Sequence, residues 1–215
     1  MSDSEDDSNE KQLKVVVLGD SSVGKTNLIK RFCYDEYSRS YTPTIGADFY
    51  IKRITLAENK EINIRITDVS GSELNKTMFA TYLFKADMIF LVYDITKSES
   101  FDSLISWLRK IDEVLDNRTI FIAVIGNKCD LEHKRSVRLD KTNSFITDNK
   151  LSNNYFVSAR TGENVNSSFV NLISKYFNLP LDKQRPIIKA ELVPTMNRKI
   201  QRRKVMATNQ SCMIQ

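Results

Sequence analysis

Histidine occurs once in this chain, at His133, and cysteine only at Cys33, Cys129 and Cys212. So sparse a set excludes a Cys/His metal cluster. Three scattered cysteines also suit a compartment in which disulfides are rare. No run of about 18 apolar residues is present, so no segment is expected to span a bilayer. The opening Met1-Ser2-Asp3-Ser4-Glu5-Asp6-Asp7 is acidic and polar, the opposite of a secretory leader. The expectation is a chain on the cytosolic side of membranes. Proline is scarce, and three of the four prolines, Pro180, Pro186 and Pro194, fall near the end.

What is there is ordinary for a globular domain: 41% apolar and 27% charged residues in a chain of 215, enough for one good-sized core. The net charge of +5 is unevenly spread. Residues 1–10 are acidic and serine-rich with no apolar period, and read as disordered. Near the other end, Arg198, Lys199, Arg202, Arg203 and Lys204 crowd into seven positions. Such a run suits nucleic acid or an anionic membrane surface.

Between these ends the hydrophobic pattern changes period. Residues 15–18 are a continuous Val/Leu run, as expected of a parallel strand buried on both faces. Residues 27–34 have helical spacing, with Leu28, Ile29 and Phe32 on one side. Two β-rich stretches, 48–56 and 61–67, are joined by the short link 57–60, which predicts an antiparallel hairpin. Further apolar runs occupy 88–93 and 120–125, with a short strand at 155–157. Helical patterns cover 101–115 and 165–177. Strands alternating with helices predict an α/β fold, mostly parallel with one antiparallel edge strand. The period is lost beyond residue 178, so 180–215 is expected to be a flexible tail.

Four motifs carry chemistry. The first, Gly19-Asp20-Ser21-Ser22-Val23-Gly24-Lys25-Thr26, matches the phosphate-binding P-loop pattern and lies between a buried strand and a helix. Its backbone N–H groups and the positive end of the following helix would face phosphates. Lys25 would reach the β- and γ-phosphates, and the Thr26 hydroxyl would ligate Mg²⁺. The second is Asn127-Lys128-Cys129-Asp130 at a strand end. A carboxylate at Asp130 could accept both guanine N1–H and its 2-amino group, a donor pair that adenine lacks. Ser158-Ala159-Arg160 follows another strand, and the Ala159 N–H could donate to guanine O6. The third, Asp68-Val69-Ser70-Gly71, offers a carboxylate to Mg²⁺ through water and a Gly71 N–H to a γ-phosphate. The fourth is Tyr41-Thr42-Pro43-Thr44-Ile45-Gly46. Here Thr44 is a candidate second hydroxyl for the metal, and the upstream Tyr37 could lean on the base.

These four elements, in this order, resemble the Ras-like small GTPases, and within them the Rab family. Ile45-Gly46-Ala47-Asp48-Phe49 is similar to the family's I-G-V-D-F, and Leu91-Val92-Tyr93-Asp94-Ile95-Thr96 is identical to its L-V-Y-D-I-T. Phe101, Leu104 and Trp107 keep the F-x-x-L-x-x-W spacing. The acidic opening, Leu131-Glu132-His133, the 189–193 segment and the single-cysteine ending resemble a divergent member.

The resemblance implies a P-loop G domain over 11–179 with a six-stranded sheet and helices on both faces, between the acidic 1–10 and the tail 180–215. It implies GTP/GDP and Mg²⁺ as ligands. The implied nucleotide site comprises the P-loop residues Gly19 and Ser21 to Thr26 with Asn27, then Tyr37, Tyr41, Thr44 and Gly71, and then Asn127, Lys128, Asp130 and Ser158 to Arg160. Thr26, Thr44 and Asp68 are the implied metal set. Lys25, Thr44, Gly71 and Ser72 are the implied catalytic set. The implied partners are effectors at the two switch segments, an exchange factor and a GTPase-activating protein.

Two departures stand out. The family's W-D-x-x-G-Q appears here with Thr67 for tryptophan and Ser72 for glutamine. The first alters the apolar triad shown to effectors, leaving Phe49 and Tyr82. The second removes the amide that orients the attacking water. Ser72 is shorter, and the charge of Glu73 beside it would oppose a γ-phosphate. A switch that barely hydrolyses GTP and works as a GTP-loaded binding module is therefore a rival reading. An adenine-using ATPase or kinase is a second rival, opposed by Asp130.

The ending Cys212-Met213-Ile214-Gln215 is a C-a-a-X box whose final glutamine favours farnesyl. One lipid anchors marginally, and an upstream polybasic run is the usual second signal. That favours a membrane over nucleic acid as the partner of residues 198–204. The implied state is peripheral and lipid-anchored on the cytoplasmic side, with a soluble cytosolic pool. A prenyltransferase and a prenyl-binding chaperone are the partners such an ending implies.

Overall fold

The computed structural model describes residues 11–180 apart from 57–59, 117 and 153. The readings of the acidic segment 1–10, most of the hairpin link, the basic run and Cys212 lie outside the described residues.

Among the described residues, six strands form one sheet in the order β2-β3-β1-β4-β5-β6. They are β1 (Lys11–Leu18), β2 (Ala47–Thr55), β3 (Glu61–Val69), β4 (Met88–Asp94), β5 (Phe121–Asn127) and β6 (Asn154–Val157). Only the edge strand β2 runs antiparallel, pairing with β3 from Ala47 opposite Val69 to Thr55 opposite Glu61. The other four pairings are parallel. This is the architecture expected from the alternation of patterns.

The Val/Leu run of β1 is explained by its two neighbours. Val15 and Val17 enter a core with Leu28, Phe32 and Phe169, while Val16 and Leu18 enter a second core with Phe79 and Trp107. A strand covered on both faces has no place for alternating polar residues. All seven residues of β4 are buried for the same reason. The first core is closed by α1 (Lys25–Tyr34) and α6 (Val165–Tyr176). Here Phe169 stacks on Phe32 at 4.1 Å between ring centres and meets Phe90 edge-on at 5.1 Å. Truncating such a buried ring costs about 3–5 kcal/mol.

The second core lies under α2 (Phe79–Leu83), α3 (Ser98–Asp102) and α4 (Leu104–Leu115). The single helix expected over 101–115 is divided at Ser103. The Ser103 hydroxyl donates to the Ser100 carbonyl at 3.2 Å and to the Asp20 carboxylate at 2.6 Å. Such local side-chain bonds compete with regular helix. Helix α5 (Leu139–Asp148) and a 3₁₀ turn (Cys129–Lys134) carried no clear apolar period. Thr142 is the only fully buried residue of α5, so its stripe is faint. Among the described residues no helix is long and apolar enough to cross a membrane.

Parallel strands place their C-terminal ends along one edge of the sheet, where α/β folds bind ligands. The loops after β1, β3, β5 and β6 all leave from that edge and bring the motifs together.

Candidate functional site

The loop after β1 is shaped by what it must pass. Gly24 holds φ +97°, and a Cβ there would sit 2.4 Å from the Asn127 amide nitrogen. Gly71 comes so close to the loop that a Cβ would lie 2.2 Å from the Ser21 nitrogen. No larger residue fits either place. Helix α1 starts immediately after Gly24, so its unpaired N–H groups open onto the loop.

Lys25 is buried and donates to the carbonyls of Gly19 at 2.7 Å and Asp20 at 2.8 Å. Burial lowers its pKa to about 8, against the opposing pull of Asp68 and Asp20. An ammonium so desolvated gains from any added anion.

At the end of β3, Asp68 is fully buried. Its Oδ2 accepts from the Thr26 hydroxyl at 2.6 Å and from Thr44 at 3.4 Å, and the two hydroxyls are 3.1 Å apart. Its Oδ1 has no hydrogen-bond partner among the described residues. Burial raises the Asp68 pKa, and the Thr26 bond and Lys25 oppose the shift. A desolvated carboxylate with an orphaned oxygen beside two hydroxyls is a hard oxygen donor set, and it fits a small divalent cation.

Beyond Gly71 the chain turns twice, with the Glu73 N–H on the Ser70 carbonyl and the Lys76 N–H on the Glu73 carbonyl, both at 3.0 Å. The Ser72 hydroxyl lies 3.1 Å from that of Ser70 and 3.4 Å from the Lys76 ammonium. Glu73 is buried, and its carboxylate pairs with Lys76 at 2.7 Å. Glu73 is therefore neutralised by a residue that sequence reasoning did not single out.

At the other end, Asn127 is a brace. Its amide donates to the Val23 carbonyl at 2.9 Å, and its oxygen accepts from the Ala159 N–H at 3.0 Å. The Ala159 N–H, read as a donor to a base carbonyl, is thus already engaged within the protein. Lys128 pairs with Asp94 at 2.6 Å and donates to the Ser22 carbonyl at 3.1 Å. Asp130 accepts from the Ser158 hydroxyl at 2.7 Å, with the Arg160 guanidinium 3.9 Å away. Arg31 of α1 was also missed. It donates to the carbonyls of Ala159 at 3.1 Å and Arg160 at 3.0 Å, and to Asp35 at the helix end. Neither Arg31 nor Lys76 belongs to a short motif, so no local signal marks them.

One cavity of about 720 Å³ runs between these ends, within the usual range for a small-molecule site. Ser21, Ser22, Gly24, Lys25, Thr26, Asn27, Tyr37, Tyr41, Thr44, Gly71, Ser72, Asn127, Lys128, Asp130, Ala159 and Arg160 line it. Asn27 is fixed by a two-way bond with the Ser38 backbone. Gly19, Val23, Asp68 and Ser158 stand behind this lining, and Lys76 is part of it.

A family model described as Ras family matches residues 14–178. The chain is 34% identical over 193 residues to Ras-related protein Rab-28 of Caenorhabditis elegans, covering 89% of this chain and 77% of that protein. It is 37% identical over 168 residues to GTP-binding protein ypt3 of Schizosaccharomyces pombe, covering 77% and 76%. To Ras-related protein Rab-11C of Dictyostelium discoideum it is 35% identical over 192 residues, covering 87% and 84%.

Proposed function

This chain belongs to the Ras family, among the Rab small GTPases, and from that premise we propose that it is a GDP/GTP switch that recruits effectors at a membrane. The observation that carries the reading is the convergence on one cavity of Lys25, Thr26 and Thr44, with Asp68 bonded behind them, and of Asn127, Lys128 and Asp130. Its domain would span 11–179, between the acidic segment and the C-terminal tail.

Lys25 and the loop amides would hold the β- and γ-phosphates. Thr26, Thr44 and Asp68 would hold Mg²⁺, which when bound neutralises phosphate charge. Asp130 would read the two guanine donors, with Tyr37 against the base. Hydrolysis forms a bond from water oxygen to the γ-phosphorus as the β–γ bridging oxygen leaves with GDP. Gly71 would donate its N–H to the γ-phosphate. Ser72 stands where a water-orienting amide is expected. Its hydroxyl lies within reach of Ser70 and Lys76, and its side chain is shorter than that amide. This favours slow intrinsic turnover, below the ~10⁻⁴–10⁻³ s⁻¹ of a glutamine-bearing Ras-like enzyme. Loss of the γ-phosphate would release the segments around Thr44 and Gly71.

Effector docking is supported by exposed apolar side chains on those segments: Ile45, Phe49 and Met78 are 93%, 65% and 51% exposed. The partners proposed are such effectors, an exchange factor and an activating protein. Cys212 with the basic run 198–204 would add a prenyltransferase, a prenyl-binding chaperone and the membrane surface, and a role in intracellular membrane traffic.

The reading is tested by competition of GTP, GDP, ATP and XTP for the Mg²⁺-loaded protein, followed by fractionation of Cys212→Ser in cells. Guanine nucleotides should win, and the variant should become soluble. Equal competition by ATP would refute the guanine site. A Cys212→Ser protein that still sediments with membranes would refute the lipid anchor.

A further inference from the structure

We infer that Lys76 sets the preference of this site for triphosphate over diphosphate, by neutralising the buried Glu73 beside the γ-phosphate position. The inference rests on the nucleotide-site reading above.

Glu73 follows Ser72 directly and is only 3% exposed. A carboxylate desolvated to that degree cannot be screened by water. Its neighbours Ser70, Gly71 and Ser72 line the cavity, and Gly71 is packed on the phosphate loop at Ser21. Residues 70–76 are held by the two consecutive turns that start at Ser70 and Glu73. The carboxylate is therefore fixed next to the part of the cavity that a third phosphate would enter.

Lys76 joins the two. Its ammonium is 2.7 Å from Glu73 Oε1 and 3.4 Å from the Ser72 hydroxyl, and the residue lines the cavity while Glu73 does not. Its side chain is 55% exposed. This leaves the head free to lie on the cavity side of the pair. Lys25, which on this reading meets the same phosphates, lies against the Gly19 and Asp20 carbonyls and forms no ion pair with Glu73 among the described residues.

Without Lys76 the added charge of a γ-phosphate would face an unneutralised carboxylate. With it, the same charge meets a neutral pair whose positive member is the nearer. A diphosphate adds no charge at that place and is indifferent to the pair. The effect therefore falls on the ratio of the two affinities, and a residue that merely held the turn would lower both alike.

The experiment measures GTP and GDP affinities, by displacement of a fluorescent nucleotide, for wild type, Lys76→Met, Lys76→Arg and the double variant Glu73→Gln/Lys76→Met. Thermal melting with GDP checks that each is folded. Lys76→Met should lose about tenfold in GTP affinity, the scale of one partly screened charge, with GDP affinity held. Lys76→Arg should keep the wild-type ratio, and the double variant should regain it because both charges are gone. An unchanged ratio in Lys76→Met, or a loss shared equally by GTP and GDP, overturns the inference. So does a double variant as impaired as the single one. A wild-type protein that binds neither nucleotide would instead overturn the functional reading.

Discussion

At the base end of the cavity the polar groups already have partners within the protein: the Asn127 amide, the Ser158 hydroxyl, the Lys128 ammonium and the Ala159 N–H are all engaged. The phosphate end differs. Asp68 carries an orphaned buried oxygen, Lys25 is desolvated, and residues 36–45, which bring Thr44 to the site, form neither helix nor strand. On the proposed reading, the base end would be assembled before any ligand arrives, and its bonds would be indifferent to how many phosphates follow. The other end contains a buried carboxylate oxygen, Asp68 Oδ1, that has no partner among the described residues and would suit a cation, beside a desolvated ammonium that would gain from an anion. On the proposed reading, a site so divided would hold its ligand by one end and sense its state by the other.

Variants at the base end should then affect GTP and GDP alike, and variants at the phosphate end should separate them. The largest effect is expected for Asn127→Ala. It strands the Val23 carbonyl and the Ala159 N–H, each worth about 1–3 kcal/mol when left unpaired in a buried place. Both nucleotides should bind on the order of 100-fold more weakly, seen as faster release of fluorescent GDP and GTP. A loss confined to GTP would erase the distinction between the ends. Asp130→Asn should come next. It turns an acceptor into a donor, so guanine affinity should fall roughly 100-fold with xanthine nucleotides favoured. Wild-type guanine preference in this variant would remove Asp130 from the base site.

At the phosphate end, Thr26→Asn replaces a compact hydroxyl with a bulkier amide next to Asp68. GTP affinity should fall about tenfold more than GDP affinity. Removal of Mg²⁺ should then matter less to the variant than to wild type. Equal losses would argue that Thr26 serves the fold rather than the metal. The smallest effect is expected for Ser72→Gln. Single-turnover hydrolysis with Mg²⁺ and no partner should rise about threefold or more as the longer amide reaches the water. A wild-type rate at or above that of the variant would mean that another group places the water.

The two ends also differ in how much of them could be read. The P-loop and Asn127-Lys128-Cys129-Asp130 are contiguous, and their chemistry follows from residue types at fixed local offsets. Asp68 was legible only through its order between them, since D-x-x-G says little alone. The pairing of Lys76 with Glu73 spans three residues and was still missed. Nothing in that spacing says that Glu73 is buried or that Lys76 faces the cavity. The division of 101–115 at Ser103 was hidden for a similar reason. One of the two bonds of the Ser103 hydroxyl goes to Asp20, 83 residues away in sequence.

The sequence by itself determined the alternation of strand and helix, the doubly covered β1 and the antiparallel edge, because hydrophobic period reports which faces must leave water. It also determined the phosphate loop, because only glycine fits the close approach there. The tertiary structure alone decided the braces. Arg31 meets Ala159 across 128 residues, Asn127 meets Val23 across 104, and Trp107 donates to Asp20 across 87. Such bonds depend on sheet order. Parallel β1, β4 and β5 lie side by side, so loops distant in sequence leave the same edge within hydrogen-bond reach, a proximity that no local pattern encodes.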